Sequence, residues 1–219
     1  NGASGDTTFQ LSSAYTNFDA IAIYYSHFDG QDQYEDVKIY PTTFLNSVSS
    51  TDEVLGLTND AWHYYFSVYS TTEFRYVKSN AGYITDIIGI KYGSNSGGGS
   101  AYAETDLWTG SGDMYTSLSI TLSDAYTNYD ALRFEYASVR GDSQNVPIHY
   151  EKTINKETLT TTNRFSISDF YLWNNVGVGV SGQFVDSTHL TTYLEAYSWF
   201  ASCTLTKIVG IKYGSGVGG

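Results

Sequence analysis

The chain has 219 residues, of which 41% are hydrophobic and 16% aromatic, and it carries a formal net charge of −12. This composition excludes collagen-like and low-complexity chains, and the excess of acidic residues argues against a nucleic-acid partner because phosphate backbones are also negative. The single cysteine, Cys203, excludes an internal disulfide and any multi-thiolate metal site, and the absence of an apolar run of roughly 18 residues predicts no membrane insertion.

Two sequence segments occur twice in the chain, which predicts two related modules. The recurring segments are Leu11–Ile21 with Leu122–Leu132, and Ile87–Ser94 with Ile208–Ser215. We call residues 1–94 module 1 and residues 112–219 module 2. The Gly- and Ser-rich segment 95–101 predicts a flexible linker between the modules, which we place at residues 95–111.

Alternating apolar and polar residues predict strands along both modules, and no stretch shows a sustained helical period. The predicted strands cover residues 21–25, 62–69, 73–78 and 87–92, followed by 115–122, 132–136, 164–173, 176–181 and 208–213. Short strands separated by Gly, Asn, Asp and Ser turns are typical of antiparallel sandwiches. The fold class we expect is therefore all-β, with two tandem related antiparallel β-sandwich modules of the jelly-roll-like type.

The sequence also predicts the surroundings of individual residues within these strands. Arg133 and Glu135 alternate with apolar residues, which predicts a half-buried strand, and Tyr24 is expected to point outward where module 2 has Glu135. Gly89 and Gly210 fall on the face opposite the apolar residues of the closing strands, where a bulky neighbour can approach closely.

No catalytic signature is present, which predicts a protein that is not an enzyme. The chain lacks a Gly-x-Ser-x-Gly elbow, a His-Glu-x-x-His pair and a Walker-type glycine loop. Cys203 stands in an apolar, strand-like context and is expected to be a buried, inert thiol. The four histidines show no metal-ligand spacing.

An acidic stretch is the candidate site for a cation. Asp29, Asp32, Glu35 and Asp36 place four carboxylates within eight residues, and oxygen ligands of this kind suit Ca²⁺. Their spacing does not fit a calcium-binding loop, and a solvated acidic loop is the alternative. We therefore expect no cofactor, with Ca²⁺ as the possible exception.

Aromatic residues beside amides and carboxylates are the candidate ligand-binding residues. Sugars stack on exposed rings while Asn and Asp side chains bond their hydroxyls. The candidates are Asn59, Asp60, Trp62 and His63 in module 1, Trp173, Asn174 and Asn175 in module 2, and Tyr24. Core packing is the alternative for each ring.

The duplicated strands carry a resemblance to a known class of proteins. Phe18–Ile21 with Ile87–Tyr92, and Tyr129–Leu132 with Ile208–Tyr213, resemble strands of the tip domains of bacteriophage tail fibres and baseplate receptor-binding proteins. The resemblance implies a host-recognition module that binds cell-surface saccharide and forms a homo-oligomer, often a trimer, in the full-length protein. It also implies location in the virion at the tail tip after folding in the cytoplasm of the bacterial host, in agreement with the absence of a visible signal peptide in residues 1–6.

Other functions remain open from the sequence. The chain could be a carbohydrate-binding module of a secreted hydrolase or of a cell-surface adhesin. Such a module would bind sugars through the same ring stacking and hydrogen bonds. It could also be an enzyme that cleaves surface polysaccharide, or a structural spacer of a virion fibre in which the aromatic residues bury interfaces.

Overall fold

The computed structural model describes residues 7–29, 32–59, 62–78, 82–92, 102–139, 146–172, 176–197 and 202–214. Two compact units divide the chain, the first comprising Asn1–Lys91 and Val146–His149 and the second Tyr92–Asn145 and Tyr150–Gly219. Strands dominate both units. The described helical segments have at most four residues, so none is long enough to cross a membrane.

Module 1 is built from two layers of antiparallel strands. Its elements are β1 (Thr7–Gln10), β2 (Ala20–Asp29), β3 (Asp32–Pro41), α1 (Thr42–Leu45), β4 (Glu53–Asn59), β5 (Trp62–Ser70), β6 (Glu73–Lys78) and β7 (Gly82–Ile90). One layer has the strand order β3-β2-β7, and the strands of the other lie in the order β1-β6-β5-β4. The ring centroids of Tyr40 on β3 and Phe66 on β5 are 5.1 Å apart, which places the core between the layers.

Module 2 repeats this arrangement and adds one strand. Its elements are β8 (Tyr102–Asp113), β9 (Ser119–Thr121), β10 (Ala131–Val139), β11 (Pro147–Asn155), β12 (Phe165–Leu172), β13 (Val176–Phe184), β14 (His189–Tyr197) and β15 (Ser202–Tyr213). Strands β12-β13-β14-β9 form one layer, and β11, β10, β15 and β8 are successive neighbours in the other. Phe134 on β10 and Phe165 on β12 pack across the module, with ring centroids 6.1 Å apart.

The two modules match strand for strand, which confirms the prediction of an all-β fold of antiparallel sandwiches. In chain order β1 to β7 correspond to β9 to β15, and each layer of module 1 has the same strand order as its counterpart. The inward side chains Ile21, Ile23 and Tyr25 of β2 are at most 1% exposed, as the two-residue period predicts. Strand β8 has no counterpart among the described residues of module 1.

The glycines of the closing strands are confirmed as positions of close approach. A Cβ atom added at Gly89 would lie 2.5 Å from Cδ1 of Phe18, and one added at Gly210 would lie 2.5 Å from Cδ1 of Tyr129. Each ring comes from the duplicated segment at the start of its own module. Only glycine leaves room for an aromatic ring to lie directly against the strand.

Two sequence predictions are wrong in part. Residues 102–111 of the predicted linker belong to β8, which pairs along β15, and residues 95–101 lie outside the described part of the chain. The predicted strand over 115–122 contracts to Ser119–Thr121, because residues 114–116 turn after β8 with the Tyr115 amide donating to Asp113 Oδ1 over 2.9 Å. The strand predicted over 164–173 is confirmed over Phe165–Leu172, and Trp173 lies outside the described residues.

The half-buried strand predicted over 132–136 is in fact buried on both faces. Arg133 is 0% exposed and Glu135 4% exposed, although both belong to the charged face of β10. The Arg133 guanidinium donates to both carboxylate oxygens of Glu104 on β8, over 2.5 and 3.0 Å, and its Nε donates to Glu135 Oε1 over 2.9 Å. Burial raises the pKa of Glu135 even though Arg133 lowers it.

Candidate functional site

The outward surface of strands β3, β2 and β7 is the best-described candidate site, and we call it the outer face of module 1. Its side chains form three cross-strand rows set by the strand register. The rows are Ile39–Ala22–Ile88, Val37–Tyr24–Asp86 and Glu35–Ser26–Tyr83. Five of these nine residues are large apolar or aromatic side chains that are 38–48% exposed. A contiguous apolar surface of this kind is characteristic of an interaction site.

A β-bulge brings a second tyrosine to the outer face. Along β2 the pairing with β7 shifts between Tyr24 and Tyr25, so that Tyr24 faces Asp86 whereas Tyr25 faces Ile84. The extra residue in β7 turns Ile84 inward, where it is 5% exposed, and leaves Tyr83 43% exposed. Strict alternation would place Ile84 outward with Ile88, and the sequence contains no signal for the bulge.

The exposed acidic residues of the outer face are Glu35 and Asp86, whereas Ser26 at its centre is buried. Glu35 lies in the same row as Tyr83, and Asp86 lies beside Tyr24, which is itself 38% exposed as predicted. Asp86 Oδ1 accepts a hydrogen bond from the Ile87 amide over 2.8 Å. Aromatic rings flanked by hydrogen-bond acceptors can hold a ligand that has an apolar face and hydroxyl groups.

The two tryptophan segments occupy the same hairpin in the two modules. In module 1, Asn59 ends β4 and Trp62 begins β5, and the two residues pair across the turn. In module 2 the equivalent hairpin joins β12 to β13, where Leu172 pairs with Val176. The side chains of Asn59, Trp62 and His63 lie outside the described residues, as do the whole of Asp60 and of Trp173, Asn174 and Asn175.

The strand ends that flank the candidate residues of module 1 lie at one end of that module. Tyr64 of β5 pairs with Lys78 at the end of β6, while His27 of β2 pairs with Gly82 at the start of β7. Residues 78 and 82 are four peptide units apart, which is at most about 14 Å. The β2–β3 and β4–β5 hairpins therefore turn at the same end of the sandwich, on different layers.

Two of the four acidic residues proposed for Ca²⁺, Glu35 and Asp36, do not share a face of β3. Glu35 and Asp36 are consecutive strand residues, paired with Ser26 and Tyr25, and consecutive side chains point to opposite faces. The side chains of Asp29 and Asp32 lie outside the described residues. Among the side chains that the structure describes, no three His, Cys, Asp or Glu residues are grouped as metal ligands.

Cys203 is buried in module 2, as the sequence predicts. The residue is 0% exposed, and its thiol contacts Met114 with a sulfur–sulfur distance of 3.5 Å. Burial raises the pKa of the thiol to about 12, with Asp113 adding to the shift. The thiolate that reacts with electrophiles is therefore scarce at neutral pH.

We expect Cys203 in the native chain to react with iodoacetamide at pH 8 on the order of a hundredfold more slowly than in the urea-unfolded chain. Mass spectrometry of timed samples measures the difference, with free cysteine as the control for reagent quality. Equal rates in the native and unfolded chains would contradict the burial of this side chain.

Comparison of the chain with known protein families finds no family model that matches it, and comparison with curated proteins finds no match.

Proposed function

We propose that this chain is a non-enzymatic binding module for cell-surface glycan, of the kind that phage tail fibres and baseplates use to recognise their host. The proposal includes the virion tail tip as its location and a homo-oligomer as the form of the full-length protein. It follows from the resemblance of the duplicated strands together with the surfaces described above.

The outer face of module 1 is the observation that carries the proposal. Tyr24 and Tyr83 lie in neighbouring rows of the sheet and expose about two fifths of their surface, with Glu35 and Asp86 in the same two rows. Rings on a sheet are held by their strands, so little conformational entropy is lost when a sugar stacks on them. Carboxylates are strong acceptors for sugar hydroxyls.

The equivalent position of the two tryptophan hairpins supports the same proposal. The middles of the two modules do not align in sequence, yet both have tryptophan and asparagine in or beside the same hairpin. Two modules in one chain, multiplied by an oligomer, gain avidity from weak individual sites through effective concentration.

Substitution of the outer-face tyrosines tests the proposal. We expect Tyr24→Ala and Tyr83→Ala each to weaken binding to bacterial cells or purified surface polysaccharide about tenfold, equivalent to about 1.4 kcal/mol. Fluorescently labelled full chain measures this across strains, after a panel of polysaccharides has identified a ligand. Tyr69→Ala is the matched control, because Tyr69 is 55% exposed but lies on β5 in the other layer.

The substitutions Trp62→Ala and Trp173→Ala test the two hairpins in the same binding assay. If these rings hold the sugar, each substitution should abolish binding and leave the fold intact. Circular dichroism separates lost binding from lost folding. Release of reducing ends would contradict the non-enzymatic assignment. Absence of binding across the panel, together with a stable oligomer in solution, would instead favour a structural spacer.

A further inference from the structure

Strands β12, β13, β14 and β9 carry polar side chains on the outside of module 2. Val180, Phe184 and Leu190 point inward and are at most 1% exposed, so the side chains that alternate with them point outward. The outward side chains form two cross-strand rows, Ser166–Ser181–Tyr193 and Gln183–Thr191–Ser119. We call these two rows the polar face of module 2. Hydroxyl and amide groups in this arrangement suit a ligand with many hydroxyl groups.

Arg164 immediately precedes β12, and its guanidinium is held from two sides beside the polar face. The guanidinium lies over the ring of Tyr193, with 3.8 Å between Arg164 Cζ and the ring centroid. Arg164 Nη1 also donates a hydrogen bond to Glu195 Oε1 over 2.8 Å. A guanidinium that is stacked on a ring and bonded to a carboxylate loses little further freedom when a ligand binds to it.

Glu195 is itself fixed in place. It is the extra residue of a β-bulge in β14, between the residues that pair with Gly179 and Val180. The hydroxyl of Ser181, a residue that is 7% exposed, donates to the same Oε1 atom that accepts from Arg164. The hydrogen bond from Ser181, followed by that from Arg164, lowers the pKa of Glu195. Glu195 therefore stays ionised at neutral pH and holds the guanidinium in one orientation.

One edge of the Arg164 guanidinium remains available to a ligand. Its Nε and Nη2 atoms have no hydrogen-bond partner within the part of the chain that the structure describes, and the side chain is 49% exposed. Two parallel N–H groups match the two oxygens of a carboxylate. Lys152 brings a second positive charge to the polar face, because its Nζ donates to Ser166 Oγ over 3.1 Å.

We propose that the polar face of module 2 binds an acidic saccharide, whose carboxylate pairs with Nε and Nη2 of Arg164. The proposal rests on the glycan-binding function proposed above and adds a second site with its own ligand class. The hydroxyl groups of the sugar bond to the row Gln183–Thr191–Ser119. The outer face of module 1 disfavours the same ligand, because its exposed charged residues, Glu35 and Asp86, are carboxylates.

Oligomers of galacturonic, mannuronic and guluronic acid test this proposal, each compared with its own methyl ester. Acid and ester share one sugar backbone and differ in charge. NMR titration of the isotope-labelled full chain measures binding, and the Nε–H signal of Arg164 reports on the guanidinium itself. We expect at least one acid to shift this signal and to bind about tenfold more tightly than its ester, because the ester loses a charge-assisted hydrogen bond.

Substitutions assign the binding to the Arg164 site. Arg164→Lys keeps the charge but lacks the paired N–H groups, so we expect it to weaken binding of the acid about tenfold. Tyr193→Ala removes the ring that holds the guanidinium and should also weaken binding, whereas Tyr193→Phe retains the ring and should restore it. Arg75→Met is the matched control. Arg75 is an exposed arginine of β6 whose Cζ lies 5.6 Å from the Tyr69 ring centroid, and it has no carboxylate partner among the described residues.

The proposal is wrong if none of the acids shifts the Arg164 signal at millimolar concentration, if acid and ester bind equally, or if Arg75→Met and Arg164→Lys have equal effects. Sodium acetate at the same carboxylate concentration is the final comparison, and equal binding of acetate would overturn the assignment to a saccharide. These outcomes leave the proposed function untouched. That function fails instead if binding of surface glycan is insensitive to Tyr24→Ala and Tyr83→Ala.

Discussion

Replacing Arg133 with methionine is expected to destabilise module 2 by about 3–5 kcal/mol, the cost of removing one partner from a buried ion pair. Arg133 is 0% exposed, and its partners Glu104 and Glu135 have side chains that are 13% and 5% exposed. Methionine fills much of the same volume but leaves both carboxylates without their guanidinium. Urea unfolding followed by tryptophan fluorescence measures the change.

The loss of unfolding free energy caused by Arg133→Met should depend on pH. Burial already raises the pKa of Glu135, and without Arg133 that pKa rises further because an opposing influence is removed. A carboxyl group with a higher pKa in the folded than in the unfolded state binds more protons when folded, so stability falls as pH rises above about 4.5. We therefore expect a larger deficit for Arg133→Met at pH 8 than at pH 5.

The equivalent residues of module 1 indicate which substitutions serve as a control for Arg133→Met. Its counterparts of Arg133 and Glu135 are Ala22 and Tyr24, an uncharged pair on the same face of the equivalent strand. The double change Arg133→Ala with Glu135→Tyr should be less destabilising than Arg133→Met, because one stranded carboxylate is removed. Arg164→Met breaks an exposed pair with Glu195 and should have little effect. Equal effects of Arg133→Met and Arg164→Met would refute the role of burial.

The second large loss of stability is expected on substitution of Gly210. An added Cβ would lie 2.5–2.7 Å from three atoms of the Tyr129 ring, so Gly210→Ala forces the ring or the strand to move. Overpacking of this kind costs about 1–3 kcal/mol. Because Tyr129 is 6% exposed, its ring has little free space into which to move. Thermal or urea unfolding of the variant measures the loss.

Two comparisons test the proposed cause. In a Tyr129→Ala background, Gly210→Ala should cost much less, because the clashing ring is absent and the two changes are coupled. In Gly89→Ala of module 1 the added Cβ is at the same distance from Phe18, but that ring is only partly buried and borders a surface groove of about 340 Å³. We expect Gly89→Ala to lower the stability less than Gly210→Ala does. Additive effects at Gly210 and Tyr129 would argue against the contact as the cause.

Features of the fold that depend on a few residues close together in the sequence could be predicted from it. The inward face of β2, the close approach at Gly89 and Gly210 and the burial of Cys203 all follow from two-residue alternation and from residue size. The outward position of Tyr24 followed from the same rule. Tyr83 did not, because a β-bulge in β7 breaks the alternation without a visible sequence signal.

Strand β8 shows why composition alone misled the linker prediction. The prediction rested on the Gly and Ser residues of 95–101 and was extended to residue 111, whereas in β8 Gly110 lies under the Trp108 ring and Gly112 under Leu118, where a Cβ would approach to 2.6 and 2.7 Å. These glycines allow tight packing in a strand. Only the pairing with β15, whose residues come about one hundred positions later in the chain, distinguishes the two roles.

By itself the sequence determined the duplication, the all-β class and the inward face of β2, because each depends on repetition or on alternation along a short stretch. Only the tertiary structure decided that the charged face of β10 is buried with Glu104, and that the two tryptophan hairpins occupy equivalent places in their modules. These features depend on residues that are distant in the chain and adjacent in the sheet. The physical reason is that strand pairing and burial are properties of the assembled layers, which no single stretch of sequence encodes.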